Sequence, residues 1–280
     1  MLNNKFVLLT IALFAVSSSA WVVRLLQDTS AVTLAFWRMF LATIAVFLLS
    51  YKTISKFVPN KKMEVAGVFL GLHFALFFRA VQLTSVAEAT LLGTTAPVFT
   101  ELYRFLFKKR RPAKMVLFGL CVALFGSGIL VSQSDFSETS SMGNFFAVLC
   151  SVAMALVLII GKEVRKETPV FEYTRWLFFY ASATLLFVSF FINVSVFSFS
   201  REEFSWFLFL ALVPTMVGHN IFYYLIKNLA ATTVAAVPLG EPVVSSLGAW
   251  AFFGEPVGLA VAVGGGITLV GVFLVVKFGN

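Results

Sequence analysis

The chain has 280 residues, of which 60% are apolar, 16% aromatic and only 12% charged, with a mean hydropathy of +0.95. A soluble domain carries about twice that charge, so a water-exposed globule is excluded. The net charge of +8 would suggest a nucleic-acid partner if the basic residues formed one face; they fall instead in short clusters between apolar runs, which removes that class.

In chain order, the first apolar run covers 6–23, after Lys5, and contains Ser18-Ser19-Ala20. This resembles a cleaved leader, but cleavage would leave nine spans and spoil the charge alternation described below, so it reads as a retained helix. The runs 31–51, 65–83 and 87–107 follow, interrupted by Arg38, Arg79 and Glu101 respectively. Uncharged runs then cover 115–134, 139–161, 176–200 and 204–226. The run 230–253 surrounds Glu241, and 256–276 is again uncharged. Each is long enough to cross the roughly 30 Å of hydrocarbon as a helix. The expected fold is an all-α integral membrane protein with ten transmembrane helices.

The loop charges alternate. Lys52, Lys56, Lys61 and Lys62 follow the second span; Lys108, Lys109, Arg110, Arg111 and Lys114 join the fourth and fifth. Lys162, Arg165 and Lys166 follow the sixth, Lys227 the eighth, and Lys5 and Lys277 lie near the two termini. The opposite loops carry Asp28, Asp135, Glu138, Glu202, Glu203 and Glu255, with only Arg24 and Arg201 against them. Basic loops stay on the cytoplasmic side, which predicts a multi-pass protein of the cytoplasmic (inner) membrane with both termini in the cytoplasm. Cys121 and Cys150 both fall inside spans, so no disulfide framework is implied.

Placing Pro97 over Pro242 aligns "ATLLGTTAPVFTELYRFLFKKRRP" with "TVAAVPLGEPVVSSLGAWAFFGEP" nearly in register. The same offset puts Gly119 over Gly264 and Gly126 over Gly271, and brings His73 to within one residue of His219. The repeats are predicted as 1–134 and 139–278. An odd number of helices per repeat makes the second copy enter the membrane from the other side, an inverted pair. Arg38 and Arg175, both early in the second helix of their repeat, fit the same scheme.

"LAFWRMFLA" (34–42), "HFALFFRAVQLTSVAEATLLGTTAPVF" (73–99) and "LVPTMVGHNIFYYLIKNLAATTVAAVPLGEPVVSSLGAWAFFGEP" (212–256) resemble the EamA family of the drug/metabolite transporter (DMT) superfamily, over nearly the whole chain. The resemblance implies ten helices in two inverted EamA repeats. It also implies a central substrate cavity, lined mainly by the first, third, fourth, sixth, eighth and ninth spans. The fifth and tenth spans would scaffold the fold or contact another subunit as a homodimer. The chain departs from the family where the fourth span ends: Lys109-Arg110-Arg111-Pro112 stands in place of a Glu-Arg pair.

Within this frame Glu241 lies near the midplane between two prolines. Pro242 has no N–H for the carbonyl of Pro238, and Pro238 has none for Val234. Glu241, preceding a proline, is expected to leave helical angles, with Gly240 permitting the distortion. Broken backbone at membrane depth survives only against protein or a wet cavity, so Glu241 either lines a cavity or ties down a kink. In the first half Pro97 leaves the Gly93 carbonyl unpaired, and Thr94 and Thr95 can supply hydroxyls to it. Glu101 and Arg104 are spaced as a helical pair, which leaves Glu101 between internal pairing and substrate contact.

Ionisable groups inside a membrane face the protein interior or water. Arg38 is expected to face the interior, whereas Arg175 is expected to snorkel to the interface. His73 and His219 are either satisfied polar residues or cavity groups. The candidate substrate-binding residues are Glu241, His219, Asn220, His73, Arg38, Trp37, Glu101 and Tyr223, with Pro97, Gly93, Pro238, Gly240 and Pro242 as helix-break or gating residues. Glycines 264, 265, 266 and 271 read as close helix packing.

Enzymatic alternatives find no support. There is no His-Glu-x-x-His, the only aspartates are Asp28 and Asp135, and "FGSG" (125–128) lacks the first glycine of an intramembrane serine-protease motif. Two histidines and two cysteines far apart make a poor metal site, and no phosphate-binding loop is present, so no metal, cofactor or ATP is expected. The expected function is a secondary transporter, an exporter of small organic metabolites working by alternating access. A cavity holding both carboxylate and guanidinium suits amino acids or similar zwitterions, with proton coupling through Glu241 or a histidine. A nucleoside-like or S-adenosylmethionine-like substrate, imported or exchanged, is the alternative.

Overall fold

The computed structural model describes residues 2–51, 59–132, 140–253 and 258–279, and every regular segment among them is helical. The expectations for Lys52, Lys56, Asp135, Glu138 and Glu255, and the junction between the two repeats, lie outside the described residues. The first half comprises α1 (Leu2–Leu25), α2 (Ala31–Leu49), α3 (Lys61–Leu83), α4 (Val86–Gly93), α5 (Ala96–Lys108) and α6 (Lys114–Val131). The second comprises α7 (Ser141–Val164), α8 (Val170–Phe191), α9 (Arg201–Leu210), a π-helical stretch Ala211–His219, and α10 (Asn220–Leu225). It continues through α11 (Ala231–Ala236), a 3-10 turn Val237–Gly240, α12 (Glu241–Phe253) and α13 (Leu259–Phe278).

Eight of these stretches are long and apolar enough to cross a membrane, α9 through α10 counting as one. The fourth and ninth expected spans are not among the eight, because each is broken near its middle into α4/α5 and α11/α12. The expected seventh span also shifts. Asn193 adopts a left-handed φ of 53°, a conformation asparagine tolerates, and α8 ends before it. Residues 194–200 therefore form a non-helical connection.

Large apolar side chains such as Phe14, Leu48, Phe118, Phe187, Phe190 and Phe273 are exposed. A patch of that extent against water would be an aggregation surface; against lipid it is the expected exterior. The polar groups take the opposite position, with Arg38, His73, Glu101, Arg175, His219 and Glu241 all buried.

The basic loops meet at one end. Glu163 at the end of α7 pairs with Lys62 at 3.0 Å and with Lys108 at 3.4 Å, and Lys162 donates to the Lys227 carbonyl at 3.0 Å. At the other end Thr29 donates to Glu203, and Gln82 donates to the Thr29 carbonyl at 2.8 Å.

The fifth and tenth expected spans, α6 and α13, pack on each other through glycine. A Cβ on Gly119 would meet the Gly271 carbonyl at 2.9 Å; one on Gly126 would meet the Gly264 carbonyl at 2.6 Å. These contacts pair early with late and late with early, so the helices run antiparallel. Thr268 Oγ1 lies 3.4 Å from the Ala123 carbonyl across 145 residues, the repeat offset itself, so Ala123 and Thr268 sit where the two copies exchange. The relation between them is a two-fold perpendicular to the helices, as an inverted repeat requires. Gly119, Gly126, Gly264 and Gly271 are thus used within the chain, whereas a Cβ on Gly128 or Gly266 would meet nothing within 4 Å.

Candidate functional site

The two broken segments cross in the middle of the bundle, α5 beside α11 at the basic end and α4 beside α12 at the other. The break differs from the one expected at Glu241, which is helical with φ −58° and ψ −42°. Its N–H reaches the Pro238 carbonyl, so the tighter 3-10 turn satisfies the acceptor that Pro242 cannot. Pro242 falls in the first turn of α12 and Pro97 in the first turn of α5, where a missing N–H costs nothing. Each proline restarts a helix rather than bending one. Gly240 needs no special angle; its packing matters more, since a Cβ there would meet Leu13 at 2.9 Å. Thr94 and Thr95 do not serve Gly93 either: they donate to the carbonyls of Thr90 and Leu92, at 2.7 and 2.8 Å. The contact to the Gly93 carbonyl is the Cys150 thiol at 3.9 Å.

A cavity opens at this crossing, with about 620 Å³ of empty space including its mouth. Its wall includes Val16 and Ser19 of α1, His73, Phe74 and Phe77 of α3, Gly93 and Thr94 with Ala96, and Met154 and Leu158 of α7. His219, Phe222, Val234, Ala235, Pro238 and Glu241 close it, and α2 adds one residue, Arg38. Every span implied by the resemblance contributes, and the arginine comes from one that was not.

Arg38 is 1% exposed and held from three sides. Nε donates to Thr215 Oγ1 at 2.7 Å and one terminal nitrogen to Ser19 Oγ at 3.0 Å. The guanidinium carbon lies 4.0 Å from the centre of the Phe74 ring, a cation–π contact. The other terminal nitrogen, Nη2, is buried without a hydrogen-bond partner. An unpaired buried donor on a charged group is costly, and this one belongs to a side chain that lines the cavity.

Thr215 is in place because of Pro214. With no N–H at position 214, the Leu210 carbonyl loses its helical partner, and the helix widens into the π stretch. The Thr215 hydroxyl donates to that carbonyl at 2.8 Å and offers its lone pair to Arg38. Neither Ser19 nor Thr215 was singled out in the sequence; the signal for Thr215 was the proline inside an apolar run.

Phe74 is the hub of the wall. His73 and His219 both approach it edge-on, at 4.9 and 5.2 Å between ring centres, and His73 also stacks on Phe77 at 6.2 Å. His73 Nδ1 lies 2.9 Å from the Cys150 carbonyl. A carbonyl only accepts, so Nδ1 carries the hydrogen. Glu241, 8% exposed, lies within electrostatic reach of Arg38. No hydrogen bond ties its side chain among the described residues. One cavity therefore holds a carboxylate, an arginine with a spare donor, two histidines and aromatic faces.

The remaining candidates lie outside this wall. Trp37 donates to the Val196 carbonyl at 2.7 Å and packs among Phe199, Phe204 and Phe207. Tyr223 is fully buried against Tyr173 and Phe178. Asn220 donates to the Met216 sulfur at 3.4 Å. Glu101 pairs with Arg104 at 2.5 Å. Arg175 does not snorkel: it is 4% exposed and donates to Ser50 Oγ at 2.5 Å, just past the end of α2, where a cation meets unpaired helix carbonyls favourably.

A crossed pair of broken helices around a buried polar cavity, inside a lipid-facing shell, is the architecture of a multi-pass membrane transporter. The EamA-like transporter family model matches residues 5–132 and again 141–277, and the chain belongs to that family, within the drug/metabolite transporter superfamily. An uncharacterized transporter of Archaeoglobus fulgidus is 29% identical over 88% of this chain and 86% of its own. The pseudopaline exporter CntI of Pseudomonas aeruginosa is 27% identical over 86% and 84%. A crystal structure at 13% identity covers 98% of this chain and 97% of its own with a TM-score of 0.82, which supports the fold alone. Family and relatives indicate a transporter rather than an enzyme.

Proposed function

We propose that the protein is a secondary transporter that exports small zwitterionic metabolites, amino acids or molecules like them, across the cytoplasmic membrane. The observation that carries this reading is the unpartnered Nη2 of Arg38, on a side chain that lines a cavity together with Glu241. A substrate carboxylate meets the guanidinium while a substrate ammonium meets Glu241, and the rest of the molecule lies against Phe74, Phe77 and Phe222. The two repeats, 1–134 and 139–278, rock against each other around this site in a ten-span inverted fold with both termini cytoplasmic, the side the basic loops favour. The exporter among the relatives supports the direction. Any proton coupling uses Glu241, and any dimer uses the outward faces of α6 and α13.

Two substitutions test the role of Glu241 in reconstituted vesicles. Glu241→Gln keeps shape and hydrogen bonding but removes charge; Glu241→Ala removes both. Charge recognition predicts that Gln impairs uptake nearly as much as Ala while both proteins fold and insert. Near-normal uptake by the Gln variant, with lowered thermal stability only in Ala, would make the carboxylate structural.

A further inference from the structure

At the end of the bundle that carries Lys108 and Lys162, the two halves are joined by a group that does not line the cavity. Glu101, on α5, is 4% exposed. Its Oε1 accepts from Thr232 Oγ1 of α11 at 2.6 Å and from Arg104 at 2.5 Å, and Thr100 Oγ1 lies 3.0 Å from Thr232 Oγ1. Thr100 and Thr232 are fully buried. The bond joins one repeat to the other, since α5 belongs to the first and α11 to the second.

The opposite end is built differently. At the repeat offset of 145 residues, Glu101 corresponds to Ser246 and Thr232 to Ala87, so the pair is not repeated between α4 and α12; the threonine–carboxylate bond at that end, Thr29 to Glu203, joins the connection after α1 to the start of α9 instead. Near that end α4 and α12 contribute Ala87, Leu91 and Val243 to an apolar cluster with Leu130 and Val131. The carboxylate closure is also finely balanced. Glu101 Oε2 is buried without a partner, and an unsatisfied buried acceptor costs free energy that water would return on opening. A latch with one oxygen bonded and one orphaned holds without locking.

We infer that Glu101 and Thr232 form the gate of the basic end, positioning residues that keep α5 against α11 while the opposite end opens. Their separation admits substrate from the basic side. The inference rests on the alternating-access reading and reassigns Glu101 from substrate contact to gating.

The test reads access to the cavity rather than transport. In a chain carrying Cys121→Ala and Cys150→Ala, a reporter Leu158→Cys on the cavity wall is labelled with a membrane-impermeant thiol reagent from each side of sealed vesicles. Thr232→Val removes the hydroxyl at constant size; Thr232→Ser keeps it. Labelling from the basic side should rise about tenfold in Thr232→Val, the worth of one hydrogen bond to a charged group, and stay at the parent level in Thr232→Ser. Unchanged labelling in Thr232→Val would overturn the gate, as would an equal rise from both sides, which would report general loosening. Because the readout needs no substrate, a one-sided rise in a protein that moves no zwitterion would uphold the gate and remove the substrate reading instead.

Discussion

Arg38 and Arg175 show how far a residue's type falls short of its role. Both are intramembrane arginines early in the second helix of a repeat, and both are buried. Arg175 gives one terminal nitrogen to the carbonyl and hydroxyl of Ser50 at the end of α2 and leaves its Nε buried without a partner, but it lies off the cavity wall. Arg38 keeps one nitrogen free beside the cavity. The difference predicts separate phenotypes. Arg38→Lys retains charge but loses the planar fork that reaches Ser19, Thr215 and a substrate together. Uptake should fall about tenfold or more, the equivalent of ~1.4 kcal/mol, in a protein that still inserts. Arg175→Lys should lower thermal stability and leave the substrate dependence of uptake unchanged. Transport assays and melting curves on the two variants check this; equal loss of uptake in both would show that Arg38 acts only by packing. Arg38, Glu241 and the histidine pair were legible because charge at membrane depth is conspicuous. Ser19 and Thr215 were not, since small hydroxyl residues are unremarkable in apolar helices until a partner comes close in space.

At the scale of elements, Pro97, Pro238 and Pro242 were readable as breaks, but not the form each break takes, and Pro214 was passed over inside the run 204–226. Pro97 and Pro242 each start a new helix, and the gap between α11 and α12 closes as a 3-10 turn because Glu241 itself supplies the missing donor. Pro214 widens its helix instead, because Thr215 stands next to it with a hydroxyl for the freed carbonyl. The same residue type thus gives opposite local geometries, depending on whether a backbone N–H or a side-chain hydroxyl reaches the freed carbonyl. Close packing was legible for Gly264 and Gly271, which meet α6, and for Gly265, which meets Val243 of α12, but Gly266, read the same way, would meet nothing within 4 Å with a Cβ. A Cβ on Gly126 would come within 2.5 Å of the Thr268 nitrogen, whereas one on Gly128 would meet nothing within 4 Å. Gly126→Val should therefore destabilise the folded protein by about 1–3 kcal/mol through overpacking, and Gly128→Ala should leave its melting temperature unchanged or slightly raised. Equal effects at the two positions would contradict the packing described.

For the whole molecule, the two halves were visible as a sequence repeat, and the glycine contacts between α6 and α13 give that repeat its antiparallel sense. The ends of the bundle differ in character, one basic with Glu101 bonded to Thr232, the other apolar near Ala87, Leu91 and Val243. Between them lies the cavity lined by Arg38 and Glu241, on which the proposed function rests. The most direct test is uptake into sealed proteoliposomes from a mixed metabolite pool, without ATP, read by mass spectrometry. Each zwitterion is paired in the pool with analogues blocked at its carboxyl or its amine. The wild type should accumulate zwitterions and discriminate against both sets of blocked analogues, and the double variant Arg38→Gln/Glu241→Gln should lose both uptake and preference. Uptake that ignores the blocking groups, or chemical conversion of a pool member by the protein in detergent with no bilayer present, would contradict the account.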